Sequence, residues 1–400
     1  MLASSRTVPI PLFPTLPRVE YEGRYSRLRR AMENAGVDML LLTERENVEY
    51  LSGYISSHWF MHGIIPGVVL FPLREPPCLL VPSFWLGTAQ KKSWIEEILV
   101  HKNTHSNPDA FADFVLEVIQ KRGLAGGVLG YEAGQEMTLG LPIQQFDRIR
   151  EGLAKGQWVP AGEVLWSARS CKSPLEISLL RAAAESSCRA LTAVHAEARI
   201  GMSELHIGRL IRQQQVMEGC EDRQFLNVRC GPPRYSMTDT LPEDRPIHSG
   251  EILILDVGMH RSGYWSDTAR CASVGEPSPL YQEVFAVILE AQEAALAAIS
   301  PGAPASGPYH AARRVIDQAG YGVHIDMMGH GIGMSMYEPP LLSPITPAIL
   351  EEGMVLCVEP WITLPDEQGV LCLEETVVVC RGGYEKLTTW EKPDLWVIED

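Results

Sequence analysis

The residues best suited to chemistry are acidic side chains within apolar segments of the second half of the chain. Asp256 lies in ILILDVG, Glu359 in LCVEP and Glu374 in LCLEETVVV, while Asp267 follows Asp256 in GYWSDTAR. A carboxylate in a strand buried on both faces is costly to desolvate unless it is paired or bound to a metal ion. His330 stands between glycines in GHGIG, and in the chain it falls between Asp267 and Glu359. These five residues are therefore the first candidates for a metal site.

Two interpretations of this set compete. A single acidic residue in a strand is more often salt-bridged than catalytic, and a histidine between glycines also fits an ordinary turn. Four carboxylates and one imidazole, however, form an oxygen and nitrogen donor set that suits Mn, Co, Fe or Zn, and two of the carboxylates could bridge a pair of ions. Residue types and spacing alone leave both interpretations open.

The elements predicted around these residues would bring them together. The segment EILILDVG (251–258) is typical of a strand, and a short return predicts a hairpin that places Asp256 and Asp267 on one face. The segments MVLCVEPWI (354–362) and GVLCLEETVVV (369–379) are predicted as two further strands. The four carboxylates are thus expected to come from neighbouring strands.

The first half of the chain alternates strands and helices. The helical spacing of YEGRYSRLRRAMENAG (21–36) is followed by the apolar strand DMLLLT (38–43). This alternation predicts an α/β domain. The pattern changes near residue 165, ahead of a helix start at Ser173, so we expect two domains, residues 1–165 and 166–400.

Composition argues against several classes of protein. The chain has 400 residues, of which 46% are hydrophobic and 21% charged, as in globular proteins with more than one domain. A net charge of −16 without a run rich in Lys and Arg argues against nucleic-acid binding. No signal-peptide pattern or membrane-spanning apolar run occurs, and the nine cysteines are scattered. We therefore expect a cytoplasmic protein with neither a nucleic-acid nor a membrane partner.

The order and contexts of the five candidates resemble the metal-ligand signature of the pita-bread (M24-type) metallopeptidases, which include Xaa-Pro dipeptidases, aminopeptidases and creatinase. The contexts LDVG, SDTAR, GHGIG, VEP and EET carry this resemblance, and NVEYLSGY (47–54) is similar to the family's N-terminal domain. The resemblance implies an α+β protein, with an N-terminal creatinase-like α/β domain followed by a C-terminal pita-bread domain that has a curved antiparallel sheet. It also implies a homodimer.

The resemblance further assigns roles to the five residues. Asp256 would bind one of two divalent ions (Mn, Co, Fe or Zn), and Asp267 and Glu374 would bridge both. His330 and Glu359 would bind the second ion. A hydroxide held between the ions would attack an amide bond, with Glu359 as the proton carrier.

Four positions depart from the peptidases of this family. Tyr337, in YEPP, stands where they carry a second histidine, and Asp326 and Asp239 stand at or near two further histidine positions. Cys372 replaces an arginine two residues before the last ligand. Tyr337 could donate a hydrogen bond or a proton, and the two aspartates could either attract a cation or face solvent. The catalytic candidates are therefore Glu359, Tyr337, Asp326 and Asp239.

Three functions fit this pattern. The first is a dinuclear metal-dependent hydrolase resembling the Xaa-Pro dipeptidases and aminopeptidases. The second is a non-peptidase on the same scaffold, a C–N hydrolase or lyase that acts on a small cationic metabolite, as the lost histidines suggest. The third is a binding protein without activity, which the intact ligand set disfavours. The expected partner is a small molecule or dipeptide.

Overall fold

The chain forms two compact units that divide between Arg169 and Ser170. The structure, a computed structural model, describes residues 15–61, 65–102, 109–220, 224–232, 234–237, 240–365, 369–390 and 394–399. The boundary expected near residue 165 falls inside the last helix of the first unit, Gly162–Arg169. No helix among the described residues is long and apolar enough to cross a membrane.

The first unit is a six-stranded mixed sheet with helices, as the α/β prediction requires. Its strands are β1 (Met39–Leu42), β2 (Val68–Pro72), β3 (Cys78–Pro82), β4 (Glu97–His101), β5 (Val128–Tyr131) and β6 (Gln157–Pro160), in the order β4-β3-β2-β1-β5-β6. Its helices are α1 (Arg18–Ala35), α2 (Arg45–Ser52), α3 (Leu86–Lys92), α4 (Asp109–Lys121), α5 (Ile143–Gly152) and α6 (Gly162–Arg169). One face of the sheet forms a core with apolar residues of α4 and α5.

The second unit combines long helices with mostly antiparallel strands. Its helices are α7 (Pro174–Glu197), α8 (Glu204–Met217), α9 (Pro279–Ala297) and α10 (Gly307–Gln318). Its strands are β7 (Gln224–Cys230), β8 (Ile252–Arg261), β9 (Tyr264–Val274), β10 (Gly322–Val323), β11 (Gly329–Gly331), β12 (Glu338–Leu341), β13 (Val355–Val358), β14 (Trp361–Thr363), β15 (Val370–Cys372), β16 (Glu375–Cys380), β17 (Gly383–Lys386) and β18 (Trp396–Ile398). The described strands form three sheets, ordered β18-β9-β8-β7, β12-β11-β13-β16-β17 and β10-β14-β15.

The start of α7 confirms the helix start predicted at Ser173. The Ser173 side chain accepts a hydrogen bond from the backbone N–H of Glu176, and the Glu176 carboxylate accepts one from the backbone N–H of Ser173. This reciprocal pair satisfies two N–H groups that the first turn of a helix leaves free. Pro174 occupies the first turn, where the lack of an N–H costs nothing.

The sheet of β7, β8 and β9 separates two cores. On β8, Leu253 and Leu255 join a core with α7 and α8, whereas Ile252 and Ile254 join a core with α9 and α10. Because side chains alternate between the faces of a strand, Asp256 belongs to the face of Ile252 and Ile254. The polar residues of the candidate site therefore lie on the face that looks toward the other strands of this unit.

Two strands predicted as continuous are broken where the glutamates lie. The predicted strand 354–362 divides into β13 and β14, and Glu359 lies between them. The predicted strand 369–379 divides into β15 and β16 with Glu374 in the break. The prediction that these two carboxylates lie inside strands was therefore wrong. Each break passes the chain from one sheet to another and leaves the glutamate at the junction.

Candidate metal centre

The hairpin of β8 and β9 brings the two aspartates together, as predicted. In the antiparallel register Asp256 pairs with Ala269 and Asp267 pairs with Gly258, so the aspartates are diagonal neighbours on one face. Glu374 joins them from the junction of β15 and β16. One ligand atom of each of these three residues lies within 4.8 Å of the other two.

Strand β11 places His330 beside two of the carboxylates. The His330 Nε2 atom lies 3.6 Å from Asp267 Oδ2 and 3.6 Å from Glu359 Oε1. Its Nδ1 atom lies 2.8 Å from the carbonyl oxygen of Gly331, which can only accept, so the Nδ1 hydrogen is the donor. Nε2 then faces the carboxylates, as in a histidine that ligates a metal. Burial lowers the pKa of His330, but Asp267 and Glu359 outweigh it and raise the pKa overall, so an ion that binds Nε2 would displace a proton from it.

A glycine is required beside His330 because the strands approach closely. Gly329 has φ +139°, and a Cβ added there would lie 1.9 Å from the carbonyl oxygen of Cys357 on β13. Any side chain at this position would push β11 away from β13 and move His330 with it. The Gly-rich GHGIG segment is therefore part of the geometry of the site.

The buried polar atoms of the site fit a metal. His330 Nε2, Glu359 Oε1 and both carboxylate oxygens of Glu374 are buried and have no hydrogen-bond partner among the described residues. Glu359 Oε2, by contrast, accepts a hydrogen bond of 3.0 Å from the Trp361 indole. Buried polar atoms without partners are rare and costly, and divalent cations compensate such atoms directly. Four carboxylates with one imidazole match the donor preferences of Mn, Co, Fe and Zn.

The electrostatics of the cluster lead to the same conclusion. Burial raises the pKa of Asp256 and Glu374 well above the usual range, and the neighbouring carboxylates raise both further. Burial likewise raises the pKa of Asp267 and Glu359. A dication at the centre would reverse this repulsion, because it favours the ionised form of each carboxylate that faces it.

Comparisons with known proteins place the chain in a family. A family model described as metallopeptidase family M24 matches residues 178–381, and one described as the creatinase/prolidase N-terminal domain matches residues 24–171. The chain belongs to metallopeptidase family M24. It is therefore a hydrolase of a metal-dependent family, and the resemblance and fold class inferred from the sequence are confirmed.

Similar M24 proteins match nearly the whole chain. An uncharacterized peptidase of Staphylococcus aureus is 33% identical over 374 residues, 92% of this chain and 99% of that protein. An Xaa-Pro dipeptidase of Pyrococcus furiosus is 26% identical over 372 residues, 92% of this chain and 98% of that protein. The structure of an Xaa-Pro dipeptidase from Bacillus anthracis superposes with a TM-score of 0.82 at 26% identity, covering 94% of this chain and all of that one.

Tyr337 lies directly against the metal centre of this M24 hydrolase. Its ring stacks on the His330 imidazole, with centroids 4.0 Å apart and planes 25° apart. Tyr337 is 40% exposed, yet its partial burial raises the pKa of the phenol, and the neighbouring carboxylates, Glu359 first, raise it further. The phenol therefore stays protonated at neutral pH and is suited to donate a hydrogen bond rather than to act as a base.

A buried ion pair fixes the segment that carries Tyr337. Lys172 Nζ lies 3.0 Å from the Glu338 carboxylate, and both side chains are almost fully buried. The other carboxylate oxygen of Glu338 accepts a hydrogen bond from the backbone N–H of Ser335. Glu338 thereby ties the GHGIGMSMYEPP segment of the M24 domain to the residues just before α7.

The two aspartates predicted as catalytic, Asp326 and Asp239, are not described beside the metal centre as Tyr337 is. The Asp326 side chain is 70% exposed, accepts a hydrogen bond from the Tyr309 hydroxyl and lies 4.0 Å from the Arg313 guanidinium. The structure thus places Asp326 in solvent beside α10, with a phenol and a guanidinium as neighbours. Asp239 lies outside the described residues, so its predicted role stays a prediction.

Four residues near the M24 centre were missed by sequence reasoning. They are Asn227 and Arg229 on β7, Trp361 on β14, and His324. Asn227 pairs with Asp256 in the β7–β8 register, and its amide lies 3.3 Å from the Asp256 carboxylate. Polar residues alternating with apolar ones in FLNVRC are the signal that could have found the two on β7.

Proposed function

We propose that this M24 hydrolase is a dinuclear metal-dependent peptidase that cleaves the bond before proline in dipeptides or short peptides. The observation that carries the proposal is the cluster of buried ligand atoms without partners, those of His330, Glu359 and Glu374, beside Asp256 and Asp267. Similarity over nearly the whole chain to proteins described as Xaa-Pro dipeptidases supports the substrate class.

The five ligand candidates would hold two divalent ions, drawn from Mn, Co, Fe and Zn, which when bound polarise the scissile carbonyl and lower the pKa of water. Glu359 is the proposed proton carrier, because the Trp361 indole holds its Oε2 atom and leaves Oε1 without a partner. Tyr337 is the proposed donor to the oxyanion that develops on the carbonyl oxygen, a task that suits a protonated phenol.

A metal-reconstitution assay tests this proposal. The full-length protein is stripped with a chelator, reloaded separately with Mn, Co, Fe or Zn, and incubated with Ala-Pro, Leu-Pro and Met-Pro. The matched dipeptides Ala-Ala, Leu-Ala and Met-Ala serve as controls. We expect turnover of the proline dipeptides with at least one metal and far less of the controls. Protein that binds metal but cleaves none of the dipeptides would contradict the proposal.

The second candidate is a non-peptidase, a C–N hydrolase or lyase acting on a small cationic metabolite. The substitutions at Tyr337 and Cys372 favour it, because both change residues that the family's peptidases use. Asp326 gives it little support, since this side chain is exposed and bonded to Tyr309. An Asp326→Asn variant with unchanged affinity for cationic substrates would count against this candidate, and a large loss would favour it.

The assembly and location complete the proposal. A homodimer and a cytoplasmic location are expected from the resemblance and from the composition of the chain. Light scattering on the purified protein measures the oligomeric state, and a monomer across the accessible concentration range would exclude the homodimer.

A further inference from the structure

Arg229 is a buried arginine beside the metal centre that the proposed mechanism does not use. It lies on β7 two residues after Asn227, so both side chains lie on the face opposite Leu226 and Val228, which join the core with α7 and α8. The Arg229 side chain is fully buried. A guanidinium stays charged at any physiological pH, so this position holds a permanent positive charge.

One edge of the Arg229 guanidinium has a partner and the other has none. Its Nη1 atom donates to Asn227 Oδ1 at 3.2 Å, and the Asn227 amide in turn donates to Asp256 Oδ2 at 3.3 Å. The Nε and Nη2 atoms are buried without a hydrogen-bond partner among the described residues. The N–H groups on Nε and Nη2 point in parallel, and this side-on edge is one that grips a carboxylate with two hydrogen bonds.

A further hydrogen-bond donor, His324, and an aromatic ring, Trp361, lie near Arg229. The guanidinium carbon lies 5.6 Å from the centroid of the Trp361 ring. The His324 ring lies 6.3 Å from the same ring, and its Nε2 atom is also buried without a partner in the described part of the chain. His324 Nδ1 lies 3.0 Å from the Thr363 hydroxyl, which can donate to it and leave the proton on Nε2. Near the Trp361 indole, three nitrogen donors therefore have no acceptor among the described residues: Nε and Nη2 of Arg229, and Nε2 of His324.

No carboxylate of the described residues lies within ion-pair distance of Arg229, although the guanidinium is buried. Burying an unpaired charge is costly, so such a group is retained where a ligand completes it. Asp256 and His324 on either side are partly exposed, so solvent reaches the neighbours of the guanidinium.

We propose that the Nε–Nη2 edge of Arg229, with His324 and the Trp361 ring, forms a subsite for a carboxylate of the substrate. The subsite adjoins the metal centre through Glu359, whose Oε2 atom accepts from Trp361. This inference rests on the proposed function, which it deepens: the favoured substrate carries a free carboxylate on the leaving side of the scissile bond, as a dipeptide does and a peptide amide does not.

Binding measurements with acid and amide pairs test the subsite. The metal-loaded and the metal-stripped full-length protein are titrated by calorimetry with L-proline, L-leucine and acetate, and with L-prolinamide, L-leucinamide and acetamide. We expect the wild type to favour each acid over its amide by about 10- to 100-fold, the usual effect of hydrogen bonds to a charged group. Arg229→Gln should abolish this preference, and Arg229→Lys should restore only part of it because lysine lacks the planar fork.

A matched control removes the same charge from the same unit. Arg181 on α7 is partly exposed and pairs with Glu385 at 2.7 Å, so Arg181→Gln should leave the acid preference unchanged. If Arg229→Gln weakened acid and amide equally, Arg229 would serve only to hold Asn227 and Asp256, and the subsite would be refuted. Equal affinity of the wild type for acids and amides would refute it without any variant.

The outcomes also separate this inference from the proposed function. An Arg229-dependent preference for acids, in protein that cleaves no Xaa-Pro dipeptide, would retain the subsite and reject the reaction. Cleavage of Xaa-Pro dipeptides by protein that binds acids and amides equally would retain the reaction and reject the subsite. Circular dichroism and thermal melting establish that each variant is folded before it is titrated.

Discussion

At the scale of single residues, the orientation of the His330 ring matters most for metal binding. The carbonyl of Gly331 holds one proton of His330 on Nδ1, which turns Nε2 toward Asp267 and Glu359. The ring is fully buried, so the protein and not the solvent sets the orientation of Nε2. His330 is therefore oriented as a ligand before any ion arrives, and an ion would take the place of the Nε2 proton that the two carboxylates favour.

Replacing His330 should remove metal from the protein. We expect His330→Ala to lower metal affinity by more than the roughly 10- to 100-fold that loss of an outer partner causes, and to abolish activity. His310→Ala, at an exposed histidine of the same unit, is the control and should retain wild-type metal content. Elemental analysis after gel filtration measures both variants. Full metal content in His330→Ala would show that this residue is not a ligand.

Removing only the hydroxyl of Tyr337 should separate its two contacts. Phenylalanine keeps the ring stacked on His330 but cannot donate a hydrogen bond. We expect Tyr337→Phe to lower kcat about 100-fold with KM and metal content little changed, as for loss of one oxyanion donor. Tyr384→Phe, at a partly exposed tyrosine on β17, should behave as wild type. An unchanged kcat in Tyr337→Phe would remove the hydroxyl from the mechanism.

The five candidate ligands, but not the residues that surround them, could be identified from the sequence. An acidic residue in an apolar segment stands out because burial makes it costly, and five such contexts in order identify a family. Arg229 and His324 carry no such context. Their importance comes from unpartnered nitrogens, which depend on the three-dimensional position of every neighbour. Asp326 is the opposite case, a residue that the sequence marked as catalytic but that the structure places in solvent. Nothing in the sequence indicated that it would accept a hydrogen bond from Tyr309.

At the scale of elements, the Lys172–Glu338 pair joins the start of α7 to β12. Both side chains are nearly fully buried, so replacing Lys172 removes the ammonium that faces the buried Glu338 carboxylate. We expect Lys172→Met to lower the free energy of unfolding by about 3 to 5 kcal/mol, measured by urea denaturation. The double variant Lys172→Met, Glu338→Leu should recover much of this loss.

An exposed pair provides the comparison for this measurement. Lys121 and Glu117 form an ion pair on α4 in which both side chains are more than half exposed. Exposed pairs contribute about 0 to 1 kcal/mol, so Lys121→Met should cost far less than Lys172→Met. Similar losses in the two variants would mean that Lys172 and Glu338 do not stabilise the unit as a buried pair.

The junction of β1 and α2 in the first unit should respond to pH. Glu132 there accepts hydrogen bonds from Thr43, Asn47 and the backbone N–H of Glu44. Burial and, after it, the neighbouring Glu132 carboxylate raise the pKa of Glu44 to about 8. A carboxyl with a raised pKa stabilises the fold at low pH, and this stabilisation is lost as the pH rises through the folded value.

Replacing Glu44 should therefore matter most in alkaline solution. We expect Glu44→Gln to match the wild type near pH 5 and to be more stable by about 1 to 3 kcal/mol near pH 9, where the wild-type carboxyl must ionise. Denaturation at pH 5, 7 and 9 measures the trend, with Glu33→Gln at an exposed site of α1 as control. A stability difference that shrinks with rising pH would contradict the assigned direction.

The element predictions were accurate where one pattern ran through a whole element. The helix start at Ser173, the β8–β9 hairpin and the alternation of the first unit are confirmed, because local hydrogen bonding and apolar spacing determine them. The breaks at Glu359 and Glu374 were missed, because the apolar run continues across each one. There the pairing of each half with a different sheet decides the structure, and such pairing is not visible in a single segment.

At the scale of the whole molecule, metal binding should stabilise the fold. An ion that binds the folded chain alone adds RT ln(1 + [M]/Kd), about 2.7 kcal/mol at a hundredfold excess over Kd. We expect the melting temperature of chelator-stripped protein to rise on addition of at least one of Mn, Co, Fe or Zn. His330→Ala should lose most of this rise, and His310→Ala should keep it. A melting temperature that none of these metals changes would contradict a metal centre formed by the folded protein.

The order of the ligands along the chain has a consequence for biosynthesis. The first candidate ligand, Asp256, and the last, Glu374, are 118 positions apart in the chain. Ribosomes add about 5 to 20 residues each second, so Glu374 is synthesised roughly 6 to 24 seconds after Asp256. The β8–β9 hairpin, with both aspartates, is therefore made before Glu374 exists, and the full donor set can form only after that interval.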